Sequence, residues 1–138
     1  MIVLDTDVIS ELMKDHPERR VFDWAQQQTA ANLYTTSVTQ AEILNGLLLL
    51  PAGKRRDAIR AAAEKMFGHV FAERILSFDS AAAPAYAQIA AHRRASGRPI
   101  SQFDAQIAAI VQSRGGELAT RNTDDFDDCA IKLHNPWA

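Results

Sequence analysis

Residues 1–12 read MIVLDTDVISEL, an apolar run followed by an acidic turn and a second apolar stretch. The run that ends at Leu4 is short and continuous, which favours a strand buried on both faces of a parallel sheet. Asp5, Thr6 and Asp7 come next, and their short polar side chains are typical of a helix N-terminus. The segment therefore predicts a strand and then a helix, with Asp5 at the carboxyl end of the strand.

The pattern of a strand followed by a helix recurs along the chain. Helical periodicity separates four further candidate strands, at residues 33–36, 75–78, 117–120 and 131–133. Strands that alternate with helices form a parallel sheet with helices on both faces. The sequence thus predicts an α/β fold with a parallel central sheet of four to five strands, in one domain spanning residues 1–138.

Capping residues predict where several helices begin and end. Ser37 is followed three residues later by Gln40, which is a capping-box pattern at the start of the helix after the second strand. Ser101 is the expected N-cap of the helix that carries Asp104. Gly97 is the expected residue just beyond the end of the preceding helix.

Composition and charge exclude several classes of protein. The chain has 15 Lys and Arg against 17 Asp and Glu, which gives a net charge of −2 and argues against coating nucleic acid by bulk charge. Cys129 is the single cysteine, so an internal disulfide framework is excluded. No apolar run approaches the roughly 20 residues that span a bilayer, and the N-terminus lacks a signal-peptide pattern. We therefore expect a cytoplasmic protein with no membrane partner.

Acidic residues are expected to meet at one edge of the sheet. Ligands of open α/β sheets bind beyond the carboxyl ends of the strands. Glu42 and Asp104 also have ordinary explanations, because a helix surface accepts Glu and a first helical turn favours Asp. The acids that this edge would collect are Asp5, Glu42, Asp104 and, after the fourth strand, Asp124 and Asp125.

Such a cluster would need a cation. Two carboxylates about 4 Å apart repel by roughly 4 kcal/mol at an effective dielectric constant near 20. Oxygen ligands select hard ions, so we expect Mg²⁺ or Mn²⁺, and the four scattered histidines show no zinc-ligand spacing. A divalent ion held by carboxylates suits phosphodiester hydrolysis.

Four segments of the chain occur in the order and spacing of one known family. They are IVLDTDVISE at 2–11, SVTQAEI at 37–43, RPISQFDAQIA at 98–108 and TRNTDDF at 120–126, followed by NPW at 135–137. Over almost its whole length the chain resembles PIN-domain ribonucleases of the VapC and FitB type, the toxin half of bacterial toxin–antitoxin pairs.

The resemblance implies a PIN-like three-layer α/β/α fold and a metal-dependent endoribonuclease. By this likeness Asp5 and Asp104 would bind Mg²⁺ or Mn²⁺ directly. Glu42 would hold the metal through water or position the attacking water. The fourth acidic position is assigned to Asp125, with Asn122 and Asp124 as the other candidates for it.

Further residues take supporting roles by the same resemblance. Thr6 and Thr120 would orient the ligands. Asp7 departs from the Asn of many relatives and adds negative charge beside the site, so it is an alternative ligand. Arg98 and Arg121 flank the site in sequence and are expected to contact substrate phosphates.

The family likeness also implies partners that the sequence itself does not show. These are an RNA substrate, a second copy of the chain in a homodimer and a small cognate antitoxin bound across the active-site groove. Promoter DNA would be bound only through the antitoxin complex. The leucine run at 47–50 belongs either to the core or to a dimer or antitoxin surface.

Two alternatives stay open. Asp5 and Asp7 after an apolar strand also resemble haloacid-dehalogenase phosphatases, in which the first Asp is the nucleophile. The chain is short for that class and lacks a convincing later Lys and Gly-Asp motif. The second alternative is a non-catalytic PIN module that binds nucleic acid or a protein partner.

Overall fold

A five-stranded parallel sheet forms the centre of the computed structural model, which describes residues 1–138. Its strand order is β3-β2-β1-β4-β5, and all four pairings are parallel. The strands are β1 (Ile2–Leu4), β2 (Leu33–Thr36), β3 (Ile75–Leu76), β4 (Glu117–Ala119) and β5 (Leu133–His134). The predicted parallel sheet is therefore confirmed, although β5 lies two residues later than expected.

Six α-helices connect the strands. They are α1 (Thr6–Leu12), α2 (Arg19–Gln27), α3 (Ser37–Leu48), α4 (Lys54–Lys65), α5 (Ala82–Ala95) and α6 (Gln102–Ser113). A π-helical turn at Met66–Val70 extends α4, and a short 3₁₀ helix at Thr123–Phe126 follows β4. None of the helices is long and apolar enough to cross a membrane.

Two hydrophobic cores lie on opposite faces of the sheet. Ile2 and Leu4 of β1 pack into a core with residues of α1 to α4, whereas Val3 packs into a second core with α5 and α6. In β4, Leu118 and Ala119 divide between the same two cores. This alternation follows from the two-residue period of a strand. The sheet is thus covered on both faces, which confirms the α/β/α layering.

The order of the strands determines where a site can form. After β1 the chain builds β2 and β3 on one side, and then returns to place β4 on the other side of β1. The backbone N–H of Asp5 donates to the carbonyl of Ala119 at 3.1 Å, so the carboxyl ends of β1 and β4 lie side by side. In open α/β sheets, ligands bind in the crevice at such a reversal of strand order.

The helix caps show one error in the sequence predictions. The side chain of Thr36, not Ser37, caps α3, because its oxygen accepts the N–H of Thr39 at 3.1 Å. Thr36 is still extended at the end of β2, so its hydroxyl can reach back over the first turn, whereas Ser37 is already helical. Ser101 caps α6 as expected, and Gly97 has the positive φ of +74° expected after α5.

A buried arginine holds the segment that follows β4. Arg93 of α5 is only 4% exposed. Its guanidinium donates to the carbonyls of Arg98 (2.6 Å), Asp125 (2.9 Å) and Asp127 (3.0 Å). These carbonyls have no strand partner, so the buried arginine supplies their hydrogen bonds.

Replacement of Arg93 tests this role. We expect Arg93→Ala to lower the free energy of unfolding by about 2–4 kcal/mol, because it leaves several carbonyls without donors and removes a buried side chain. Chemical denaturation measures the loss, and hydrogen exchange should rise selectively in residues 121–129. The neighbouring Arg94→Ala, at an exposed position, should change stability by less than about 0.5 kcal/mol. Equal stability of the two variants would contradict the assignment.

Candidate active site

A cavity of about 100 Å³ opens at the carboxyl edge of the sheet, where β1 and β4 end. Carboxylates dominate its lining, and the structure brings together the four acids that the sequence singled out. The lining residues are Asp5, Thr6, Asp7, Glu42, Asp104, Ile107, Asn122, Asp125 and Phe126. Five carboxylates therefore surround one small space.

Asp5 is the most buried of these acids, with 6% of the residue exposed. It caps α1 by accepting the N–H of Val8 at 3.1 Å. Burial raises its pKa from the ordinary 3.8 to about 7, although hydrogen bonds from the Thr120 side chain and the Val8 N–H oppose the rise. The charges of Asp7 and Asp104 raise the pKa further. The fold thus places Asp5 where ionisation of its carboxyl group is unfavourable.

Glu42 is oriented by two threonines. The hydroxyl of Thr6 donates to Oε1 of Glu42 at 2.7 Å and lies 3.1 Å from the hydroxyl of Thr39. Because Thr6 has one hydroxyl hydrogen and gives it to Glu42, the Thr39 hydroxyl is the donor in the second contact. Thr39 is fully buried and was not predicted to contribute. Its position three residues before Glu42, on the same helical face, was the available signal.

Asp104 lies in the first turn of α6, where the side chain of Ser101 accepts its N–H at 3.2 Å. Burial raises the pKa of Asp104, and a hydrogen bond with the Ser101 side chain opposes that rise. The nearby charges of Asp125, Glu42 and Asp7 raise it further. The acids of the cavity therefore repel one another through space.

The three candidates for the fourth acidic position are placed differently. All three residues are exposed, but Asp125 and Asn122 line the cavity and Asp124 does not. The Asn122 amide donates to Oδ2 of Asp7 at 2.8 Å, and the backbone N–H of Asn122 donates to the Thr120 hydroxyl at 3.1 Å. Thr120 is fully buried behind the lining residues.

The two arginines expected at substrate phosphates lie outside the cavity. Arg98 donates to Oδ2 of Asp127 at 3.0 Å and to the Asp124 carbonyl at 3.4 Å. The guanidinium of Arg121 lies over the Trp137 ring, 5.1 Å from its centroid. The structure therefore places these two side chains in different surroundings, and neither lines the cavity.

The cavity fits a divalent metal ion in donor chemistry but is not arranged as a preformed metal site. Its potential ligands are carboxylate, hydroxyl and amide oxygens, which are those of Mg²⁺ and Mn²⁺. No three His, Cys, Asp or Glu side chains are grouped to hold a metal ion. An ion would therefore have to draw the carboxylates closer together.

The raised pKa of Asp5 predicts a pH-dependent gain in stability for Asp5→Asn in EDTA. The folded protein holds the Asp5 proton up to about pH 7, whereas a carboxyl of ordinary pKa releases it near 3.8. The native state therefore binds more protons between these values, so the wild type loses stability as pH rises from 4 to 7. Asp5→Asn can still cap α1 and should be more stable by about 4 kcal/mol at pH 8.

Denaturant titrations of both proteins between pH 4 and pH 8 measure this difference. It should grow up to about pH 7 and then level off. Asp15→Asn, at an exposed position between α1 and α2, is the control and should show no comparable trend. A pH-independent difference for Asp5→Asn would disprove the electrostatic cost.

The chain is similar to known proteins over nearly its whole length. The family model of the PIN domain matches residues 2–132. The plasmid stability protein StbB of Pseudomonas syringae pv. tomato is 42% identical over 99% of both chains. The VapC ribonuclease Y4jK of Sinorhizobium fredii is 41% identical over 99% of this chain and 98% of its own.

A third relative has a solved structure. The toxin FitB of Neisseria gonorrhoeae is 36% identical over 99% of both chains. A structure of FitAB bound to a DNA fragment superposes with a TM-score of 0.92 over 100% of this chain and 96% of the matched chain. The family match and these relatives span nearly all of the sequence, and the chain therefore belongs to the PIN-domain family.

Proposed function

We propose that this protein is a metal-dependent endoribonuclease toxin that a cognate antitoxin inhibits. The observation that carries the proposal is the convergence of five carboxylates on one cavity of a PIN-domain fold. The ribonuclease name of the VapC relative supports RNA as the substrate. We also propose that the chain forms a single domain and acts in the cytoplasm.

Each acid has a proposed role at the cavity. Asp5 and Asp104 would hold Mg²⁺ or Mn²⁺ directly, and Asp125 would occupy the fourth acidic position. A bound divalent ion lowers the pKa of water and offsets the charge of the attacked phosphate. Glu42, which Thr6 orients, would position the attacking water. Asp7 is the alternative ligand.

The remaining residues would support these groups. Thr120 is fully buried, and its side chain lowers the pKa of Asp5, so it would orient that carboxylate. Asn122 and Asp124 are proposed as neighbours of the fourth acid, and the position of Asn122 in the lining favours it over Asp124. Arg98 would contact a substrate phosphate only by exchanging its bond with Asp127, whereas Arg121 has no such side-chain partner.

A groove beside the cavity supports the proposed antitoxin partner. It has a volume of about 500 Å³, lies between α1, α3 and α4, and shares Thr6 and Glu42 with the carboxylate cavity. Leu47 and Leu50 contribute to its apolar lining. A partner segment in this groove would reach the acids and block RNA. The structure of FitAB bound to a DNA fragment supports a partner protein for this chain. We propose that promoter DNA is bound only through the complex with that antitoxin.

The end of α3 supports the proposed homodimer. The leucine run divides between two environments, because Leu47 is buried whereas Leu48 and Leu49 are 60% and 77% exposed. Two adjacent leucines with such exposure form an apolar surface that a second copy of the chain would cover.

Purified protein should cleave RNA in Mg²⁺ or Mn²⁺, and EDTA should abolish the cleavage. We expect Asp5→Ala, Glu42→Gln and Asp104→Asn each to lower the rate at least about 100-fold, because each removes a charge or a positioned group from the reacting centre. Asp124→Asn should keep most of the activity, whereas Asp125→Asn should lose it. Gel assays with mixed structured RNAs measure the rates.

The same variants separate the alternatives. Full activity in Asp5→Ala would disprove the site assignment. A phosphoenzyme at Asp5 during turnover would favour the phosphatase alternative, which the family match disfavours. RNA or partner binding without cleavage, in protein free of antitoxin, would favour a non-catalytic PIN module.

Metal binding has a readout that does not depend on activity. Mn²⁺ should raise the melting temperature of the wild type at pH 8, because it offsets the repulsion among buried carboxylates. Asp104→Asn should reduce that rise, whereas Asp124→Asn should keep it. An equal rise in all three proteins would place the ion elsewhere.

Co-expression tests the antitoxin. A small protein encoded beside this gene should co-purify with the chain and suppress RNA cleavage. Leu50→Asp, which places a charge in the groove lining, should weaken the complex without abolishing cleavage. Leu44→Asp, at an exposed position of α3 outside that lining, should leave the complex intact. Equal effects of the two variants on the complex would argue against the groove as the antitoxin site.

A further inference from the structure

A second polar cavity lies directly beside the carboxylate cavity. It has a volume of about 420 Å³, and Asp7 and Asn122 line both cavities. The hydrogen bond between these two side chains, 2.8 Å long, therefore forms part of the wall between the two spaces. The other lining residues are Ser10, Glu11, Lys14, Arg121 and Trp137.

The side-chain hydrogen bonds in this cavity leave donors unused. Both oxygens of Glu11 are occupied, because Oε1 accepts from Nζ of Lys14 at 3.1 Å and Oε2 accepts the N–H of Glu18 at 3.0 Å. Lys14 uses one of its three donors in that contact and is 61% exposed. The guanidinium of Arg121 donates to no protein atom, although it has five N–H groups. The lining thus holds two acids, Asp7 and Glu11, and two cations, Lys14 and Arg121, and hydrogen-bond donors of both cations remain unused.

Arg121 is also held in place. Its guanidinium lies over the Trp137 ring at 5.1 Å from the centroid, and its backbone carbonyl accepts from the Asn135 side chain at 3.5 Å. An arginine that is oriented by an aromatic ring loses less freedom when it binds an anion. Arg98, by contrast, already donates to Asp127.

We propose that the cavity bounded by Lys14 and Arg121 is an RNA subsite, which binds a phosphate next to the one that the carboxylate cavity cleaves. The inference rests on the proposed ribonuclease function. A phosphodiester presents oxygen acceptors and one negative charge, which match the unused donors of these two side chains. The shared wall of Asp7 and Asn122 places this phosphate one side-chain layer from the reacting one.

RNA binding in an Asp104→Asn background tests the subsite, because that background should not cleave. Fluorescence anisotropy of a labelled single-stranded RNA should show Arg121→Ala raising Kd roughly tenfold and Lys14→Ala raising it severalfold, as expected for a lost charge-assisted contact. The slope of log Kd against log salt should fall by about 0.7 for each variant. In protein that carries the native Asp104, Arg121→Ala should raise KM and leave kcat nearly unchanged.

Two control variants remove the same charges at the opposite edge of the sheet. Arg114 and Lys132 lie near the amino ends of β4 and β5 and form ion pairs with Asp79 (3.3 Å) and Glu117 (3.8 Å). Arg114→Ala and Lys132→Ala should change the Kd for RNA by less than about twofold. Salt screens charges that lie far from the bound RNA.

The outcomes separate the two proposals. If Arg121→Ala and Lys14→Ala bind RNA as tightly as the background protein, or if the controls weaken binding equally, the subsite is disproved and the nuclease proposal stands. If the background protein itself binds no RNA and the wild type cleaves none, the proposed function fails. Circular dichroism confirms that each variant is folded.

Discussion

The parallel pairing of β1 with β4 determines where the acids of this protein can meet. The hydrogen bond from the Asp5 N–H to the Ala119 carbonyl extends that pairing to Asp5, the first residue of the site. It brings the turn after β1 beside the segment after β4, and the helices that carry Glu42 and Asp104 begin at the same edge. Residues that are far apart in sequence therefore meet because parallel strands present their carboxyl ends together.

Electrostatic repulsion among the acids of the cavity lowers the stability of the folded protein. Neighbouring residues hold the acidic side chains in place. Burial of Asp5 and Asp104 raises both pKa values, and repulsion among the acids adds to that effect. Such groups oppose folding when they are charged, as is common where function competes with stability. Hydrogen bonds from uncharged partners compensate in part. The bonds from Thr6 to Glu42 and from Asn122 to Asp7 fix side chains that would otherwise move apart.

Arg93 and Arg121 show how differently two arginines beside one site are used. Arg93 is buried, and its guanidinium donates to backbone carbonyls. It thereby keeps Asp125 near the cavity through the main chain. Arg121 rests on Trp137 and keeps its donors free for a ligand. The residues that neighbour Arg93 and Arg121 in the sequence do not distinguish their roles. Only the packing of α5 and of the C-terminal segment separates a structural arginine from one that is available for binding.

The class of fold and most of the acids in the cavity could be predicted from the amino-acid sequence. Short apolar strands, helical periodicity and the caps at Ser101 and Gly97 are local signals, and local signals survive in a linear sequence. Tertiary structure alone decided which neighbours reach the cavity. It placed Asp125 and Asn122 in the lining and left Asp124 outside, and it made Thr36 rather than Ser37 the cap of α3. It also gave Arg98 and Arg121 different partners. The reason is that burial, pKa and hydrogen-bond partners arise from contacts between distant segments, which no spacing along the chain encodes.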